Sequence, residues 1–305
     1  SSTNQNNSSS KPTDWKEWLN DLVRYKDTTL IASALAENLE TIYEEFNFLN
    51  GDIVVASHPK SGTTWIQNIV SLLMNDANPE KVQGQPLYLR VPWLEGKEDP
   101  ECDCGYKLLE TRSSPRLMKT HVYGSLVPPA MLQKAKIVYI VRNPKDVAVS
   151  YFHMHRAYQF LPYVPWDEFI TELFLPGKLL YGPWHKHAIY WWEMSKSHSN
   201  ILFLHYEALV KELKANVESI AAFLGKKLTA DAIEKIVDES SFTSMKANSD
   251  VNYSQVSVMG HEISPFIRKG KVGDWINHFT TAQNQLFEQK FEAWMAQSDL
   301  QIDFV

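Results

Sequence analysis

The stretch Ser57-His58-Pro59-Lys60-Ser61-Gly62-Thr63-Thr64-Trp65 constrains this chain more than any other. Before it, Asp52-Ile53-Val54-Val55-Ala56 is apolar and rich in β-branched residues, as a buried strand requires; after it, Ile66 to Met74 carries apolar residues at helical spacing. Strand, tight polar loop and helix in that order make an anion site. Gly62 lets the backbone curl close to a ligand, and the N–H groups of the loop and first helical turn have no intrahelical acceptor. Lys60, Ser61, Thr63 and Thr64 add a cation and hydroxyl donors. A phosphate fits such a cradle.

The loop is not that of the nucleoside triphosphatases, in which lysine follows the last glycine and precedes a magnesium-binding hydroxyl; here lysine comes before the glycine. Further along, Arg116-Leu117-Met118-Lys119-Thr120-His121 reads as a short strand ending in a histidine, with Lys119 and His121 on one side by strand periodicity. Lys136 to Val141 reads as a fully buried parallel strand. It ends at Arg142-Asn143-Pro144, where the proline opens a helix that carries Ser150. An arginine at a strand's carboxyl end and a serine on the following helix can both reach an anion in the crevice above the sheet. His153 and His155 are two apart on that helix and diverge, so they are not read as metal ligands. Asn200 to Glu207 reads as another buried strand, with Tyr206 at its end, and Arg268-Lys269-Gly270 places two cations beside a flexible backbone.

Pro-Lys-Ser-Gly-Thr-Thr-Trp at 59–65 resembles the 5′-phosphosulfate loop of the cytosolic sulfotransferases, which use 3′-phosphoadenosine 5′-phosphosulfate (PAPS) and release the desulfated nucleotide PAP. Lys119-Thr120-His121, Arg142-Asn143-Pro144-Lys145-Asp146 with Ser150, Tyr206-Glu207, Ser240-Ser241-Phe242 and Arg268-Lys269-Gly270-x-x-Gly273-Asp274-Trp275 resemble that family's other motifs, in its order. The resemblance implies an α/β fold: a P-loop-like three-layer sandwich with a central parallel β-sheet flanked by helices. It implies that Lys60, Ser61, Gly62, Thr63 and Thr64 hold the 5′ end of the donor, and that Arg142, Ser150, Arg268, Lys269 and Gly270 hold its 3′-phosphate. Trp65 and Phe242 stack on the adenine, with Ser240 and Tyr206 beside it. Trp93, Met154, Tyr253 and Met259 line an apolar acceptor pocket with Lys119 and His121.

Implied chemistry follows from charge. Lys60 neutralises the leaving oxygen, Lys119 steadies the equatorial oxygens and Ser150 assists, while His121, an imidazole titrating near neutrality, takes the acceptor's proton. The implied activity is transfer of a sulfuryl group to a hydroxyl or amine of a small hydrophobic acceptor such as a phenol, alcohol or steroid, without a metal. Three other readings stand beside it: a silent nucleotide-binding relative, an alcohol dehydratase working through a sulfated intermediate, and a phosphate-loop kinase, which the order of the loop disfavours.

Composition narrows the partners. The 30 Lys and Arg against 36 Asp and Glu give a net charge of -6, so no broad surface attracts nucleic acid, and the phosphate site is local. The two cysteines, Cys102 and Cys104, are too close for an easy disulfide and suit a reducing cytoplasm. The Ser/Asn-rich start has no apolar segment of a leader or membrane anchor, so residues 1–12 are expected as a disordered tail and 13–305 as one domain. Residues 14–49 read as helical segments, and Pro86 to Gly105 as an irregular lid or substrate loop. The family's dimer contact falls on Ile276, Thr280, Thr281 and Gln285, where only Thr280 keeps the pattern, so a monomer or weak homodimer is expected.

Overall fold

The computed structural model describes residues 14–26 and 28–305. Four parallel strands make the central sheet, in the order β4-β3-β5-β6: β3 (Ile53–Ala56), β4 (Leu117–Thr120), β5 (Lys136–Val141) and β6 (Ile201–His205). Their register aligns Ile53 with both Leu117 and Lys136, and Ile137 with Ile201.

Alternation along these strands shows why both faces are covered. Val54, Ala56, Ile137, Tyr139 and Val141 point into one apolar layer, and Ile53, Val55, Val138 and Ile140 into the other. A strand that is apolar on both sides needs helices above and below. Thr63–Met74, Leu213–Leu224 and Ala230–Glu239 cover the second layer, while Pro129–Lys134, Pro144–Ala157 and Trp184–Ser197 cover the first. This is the helix–sheet–helix sandwich expected from the sequence.

The N-terminal reading needs one correction. Leu22 and Val23 do not continue a helix from Trp15–Asn20; they begin a two-stranded antiparallel hairpin, β1 (Leu22–Tyr25) with β2 (Thr28–Ile31), before the helix Ala32–Glu44. The expected tail, residues 1–12, lies outside the described residues. Among the described residues, no helix is long and apolar enough to cross a membrane.

Parallel strands all end at one edge. Ser57, His121, Arg142 and Tyr206 each follow the last residue of β3, β4, β5 and β6, so four segments separated by up to half the chain converge along that edge. At the opposite edge, the buried Arg116 closes a two-armed ion pair with Asp52 at 3.0 and 2.6 Å and is fully used in structure.

Candidate active site

One cavity of about 740 Å³ runs along the carboxyl edge of the sheet. At one end lie the loop after β3, Arg142, Tyr206, Ser240, Phe242 and the 268–270 turn; at the other lie Trp93, Lys119, His121, Met154 and Tyr181. Lys60 and His121, 61 positions apart in the chain, therefore share one space.

The first end is shaped by backbone. Gly62 has φ +106, and a Cβ there would press within 2.8 Å of the Tyr206 ring, so glycine alone fits the turn that opens helix Thr63–Met74. Gly270 has φ +63, and a Cβ there would meet the Phe242 ring at 2.2 Å; this brings the basic turn against the aromatic ring. Trp65 is fixed by its indole N–H donating to Ser240 O at 2.8 Å, and packs edge-on to Tyr206 at 5.4 Å.

Its electrostatics are those of an anion site. Burial first, then Lys119 and Arg142, bring the Lys60 ammonium down to about 8; its Nζ rests 4.4 Å over the Phe266 ring. The Arg142 guanidinium lies 4.2 Å over the Tyr206 ring and donates to Lys60 O and Lys271 O, while its buried Nε has no acceptor. Ser61 Oγ is likewise buried without a partner. Buried polar atoms are rarely left so; Arg142 also lines the cavity with its other cations, whereas Ser61 is fully buried and is not part of the cavity wall. Arg268 and Lys269 are held differently from the open clamp that their spacing implies: both donate to Asp274, at 2.7 and 2.6 Å. Burial pushes that carboxyl up, but these bonds and one from Asn277 outweigh it and hold it well below the carboxylate range. Ser150 also lines the cavity.

At the other end, His121 is held from three directions. Its Nδ1–H donates to Ser57 O at 2.8 Å, which leaves Nε2 as the free acceptor. Its amide donates to Glu95 Oε1 at 2.9 Å, and the same buried carboxylate accepts from the Thr120 and Tyr181 hydroxyls. Its carbonyl accepts from His187 Nε2–H at 3.0 Å, whose other nitrogen accepts from the Tyr139 hydroxyl. Burial first, then the Lys119 charge, lower the His121 pKa to about 3, not the near-neutral value expected of a free imidazole; desolvation disfavours the charged ring. The ring is thus a neutral acceptor across ordinary pH.

The expected acceptor residues separate. Trp93 and Met154 line the main cavity; Met259 lines a small adjoining pocket with Met154; Tyr253 is buried behind, stacked on Phe266 at 4.3 Å. Lys119 carries an ion pair with Glu98 that the sequence reading missed. Missed too were Ser57, Glu95, Tyr181 and His187; the Ser-His pair opening the anion loop was the available signal, since Glu95 reads as the start of an acidic run. His153 and His155 sit in different surroundings, the former edge-on to His278 and the latter packed on Trp18 and Phe169. Cys102 and Cys104 are free thiols that line the cavity, and burial raises the Cys104 thiol to about 11.

Comparison with known proteins places this geometry. Residues 50–299 match the sulfotransferase domain family model. Sulfotransferase 1A1 of Bos taurus is 42% identical over 257 residues, 83% of this chain and 86% of its own. A mouse sulfotransferase, SULT7A1, solved in complex with PAP, aligns with TM-score 0.74 at 33% identity over 91% of this chain and 95% of its own. Retinol dehydratase, solved in a complex with retinol and PAP, aligns with TM-score 0.82 at 28% identity over 96% and 98%.

Proposed function

Because the chain belongs to the sulfotransferase family, we propose that it transfers the sulfuryl group of PAPS to the hydroxyl of a small hydrophobic acceptor, with His121 as the base. The observation that carries this reading is one continuous cavity with cations and the unpartnered Arg142 Nε at one end and the bare Nε2 of His121 at the other.

The residues present fit the nucleotide. The orphaned Arg142 Nε, the Lys60 ammonium and the Gly270 backbone laid against Phe242 make a cradle that asks for an anionic, flat-based ligand. In this reading Ser61, Gly62, Thr63 and Thr64 hold the 5′ end. Arg142, Ser150, Arg268, Lys269 and Gly270 hold the 3′-phosphate. Trp65 and Phe242 flank the base, with Ser240 and Tyr206 beside it, and stacking on such rings is worth about 1–3 kcal/mol.

PAPS, when bound, supplies a sulfuryl group whose leaving oxygen gathers negative charge. Lys60 meets that charge: bound to an anion, its ammonium is held protonated. Lys119, itself buried, would act on the transferring oxygens, and its burial would strengthen that attraction. His121 Nε2 accepts the acceptor's proton, and the Nδ1–H bond to Ser57 O stabilises the imidazolium that forms. Trp93, Met154, Phe160 and Leu161 give the acceptor an apolar wall, which suits a phenol, a steroid or a hydrophobic alcohol better than a sugar. The two free thiols fit work in a reducing cytoplasm.

Incubation with PAPS and a panel of phenols, steroids and alcohols tests the proposal through product mass: sulfate esters are expected. The likeness to retinol dehydratase gives the second reading, in which the sulfated alcohol eliminates, and alkene in place of ester would favour it.

A further inference from the structure

One cation of the sequence motifs has no task in the mechanism. Lys145 stands in the first turn of helix Pro144–Ala157, just after Arg142, yet it is not part of the cavity wall. Its side chain is only 3% exposed. The ammonium donates to Asn284 Oδ1 at 2.6 Å and Glu288 Oε1 at 3.2 Å, and lies 4.2 Å over the Trp275 ring and 4.9 Å over the Phe304 ring. A desolvated ammonium is attracted to such faces more strongly than one in water. Lys145 thus binds Trp275 and Phe304 to the helix that also carries Ser150.

Trp275 leads directly to the donor end. Its indole N–H donates to Phe304 O at 3.0 Å, and its amide and that of Gly273 donate to the two oxygens of Asp146, at 2.9 and 2.8 Å. Between those two amides sits Asp274, whose carboxylate accepts from both Arg268 and Lys269. The Lys269 side chain is 46% exposed, so the bond to Asp274 rather than packing gives it a direction. The ring that Lys145 holds is therefore one residue from the group that aims both cations. An anion binds more tightly where its cations are placed before it arrives.

We infer that Lys145 is a positioning residue for the donor's 3′-phosphate: from outside the cavity it holds Trp275 and Phe304 against helix Pro144–Ala157, and so sets the place of Asp274 and, through it, of Arg268 and Lys269. The inference rests on the donor reading above and extends it to a side chain that touches no ligand.

The test compares calorimetric affinities for PAP and for adenosine 5′-phosphate, which lacks the 3′-phosphate, in the intact protein, Lys145→Met, Lys145→Arg and Phe304→Leu. The two nucleotides share the base and the 5′ end, so the ratio of their affinities reads the 3′-phosphate alone. The intact protein should prefer PAP by about 100-fold. Lys145→Met should cut that preference about tenfold while changing the affinity for adenosine 5′-phosphate by less than about twofold. Lys145→Arg, whose guanidinium also stacks on aromatic faces, should keep it. Phe304→Leu, which retains the backbone carbonyl and removes one ring, should lower it about threefold, and this variant decides the matter if Lys145→Met does not fold. Equal weakening of both nucleotides, a preference unchanged in Lys145→Met and Phe304→Leu, or a loss in Lys145→Arg as large as in Lys145→Met overturns the inference alone. No preference for PAP in the intact protein overturns the donor reading and the inference with it.

Discussion

The two ends of the cavity are built by different means. At the donor end the residues that matter hang from strand ends and a first helical turn: Ser57 to Gly62 after β3, Arg142 after β5, Tyr206 after β6. Their backbones are fixed by a sheet whose side chains are almost wholly buried, each contributing roughly 1.5–3 kcal/mol of apolar burial. At the acceptor end more of the wall comes from loops, with Trp93 before a long turn and Phe160 and Leu161 after helix Pro144–Ala157, while Met154 stands on that helix and Lys119 and His121 belong to the sheet edge. A multiply charged nucleotide needs donors held in place before it arrives, because fixed dipoles cost nothing to reorganise. A hydrophobic acceptor needs shape and little else, and loops supply shape that can vary without disturbing the sheet.

The comparison can be broken at either end. His121→Ala should lower kcat by about 10²-fold or more, the usual share of a general base, and leave PAP affinity nearly unchanged; steady-state kinetics beside a calorimetric titration would show whether the ends separate in this way. Arg268→Ala should do the reverse, weakening PAP by roughly tenfold with a smaller change in turnover of saturated enzyme. An unchanged dissociation constant would remove Arg268 from the donor end.

A third prediction uses pH. Lys60 in the free protein titrates near 8, lowered by burial and by its cationic neighbours, and an anion beside it raises that value. Ammonium is the binding form, so affinity for PAP should fall several-fold as pH rises from about 7.5 to 9, with proton uptake on binding. Calorimetry in buffers of different ionisation enthalpy reads the uptake; a proton count of zero at pH 8.5 would contradict it. The smallest effect is expected far from both ends. Thr280 caps helix Thr281–Met295 in a reciprocal box with Gln283, so Thr280→Ala should cost about 1 kcal/mol in denaturant unfolding and leave the kinetics alone. The same hydroxyl is thus spent within the chain, and a light-scattering mass of two chains that disappears on substituting Thr280 and Thr281 would show a dimer contact there.

The donor end was legible because each motif is local. A strand, a glycine with left-handed φ and a helix start follow one another within a few residues, and parallel strands bring such motifs to one edge without further information. Less of the acceptor end could be read. Glu95 and Glu98 look like members of a solvated acidic run, yet one is fully buried under His121 and the other pairs with Lys119; only the pairing of 92–94 with β4 puts them there. Tyr253 looked like a pocket residue and is stacked behind Phe266, since a loop's direction is not written in its composition. The hairpin at Leu22–Ile31 was hidden because Leu22 and Val23 also extend the apolar spacing of the preceding helix, and strand pairing overrode that spacing. His121 lies in the cavity beside Lys119, as the strand-end reading expects, but the lowered pKa of its ring was not foreseen, because burial is a property of the fold.

The most direct measurement is a rapid-quench single turnover with sulfur-labelled PAPS, enzyme in excess, and a neutral phenol. If both ends of the cavity serve one reaction, label should pass into the phenol as its sulfate ester at the rate at which PAP forms, with no free sulfate. PAPS bound tightly while its label stays on the nucleotide, or label leaving as inorganic sulfate, would contradict the account.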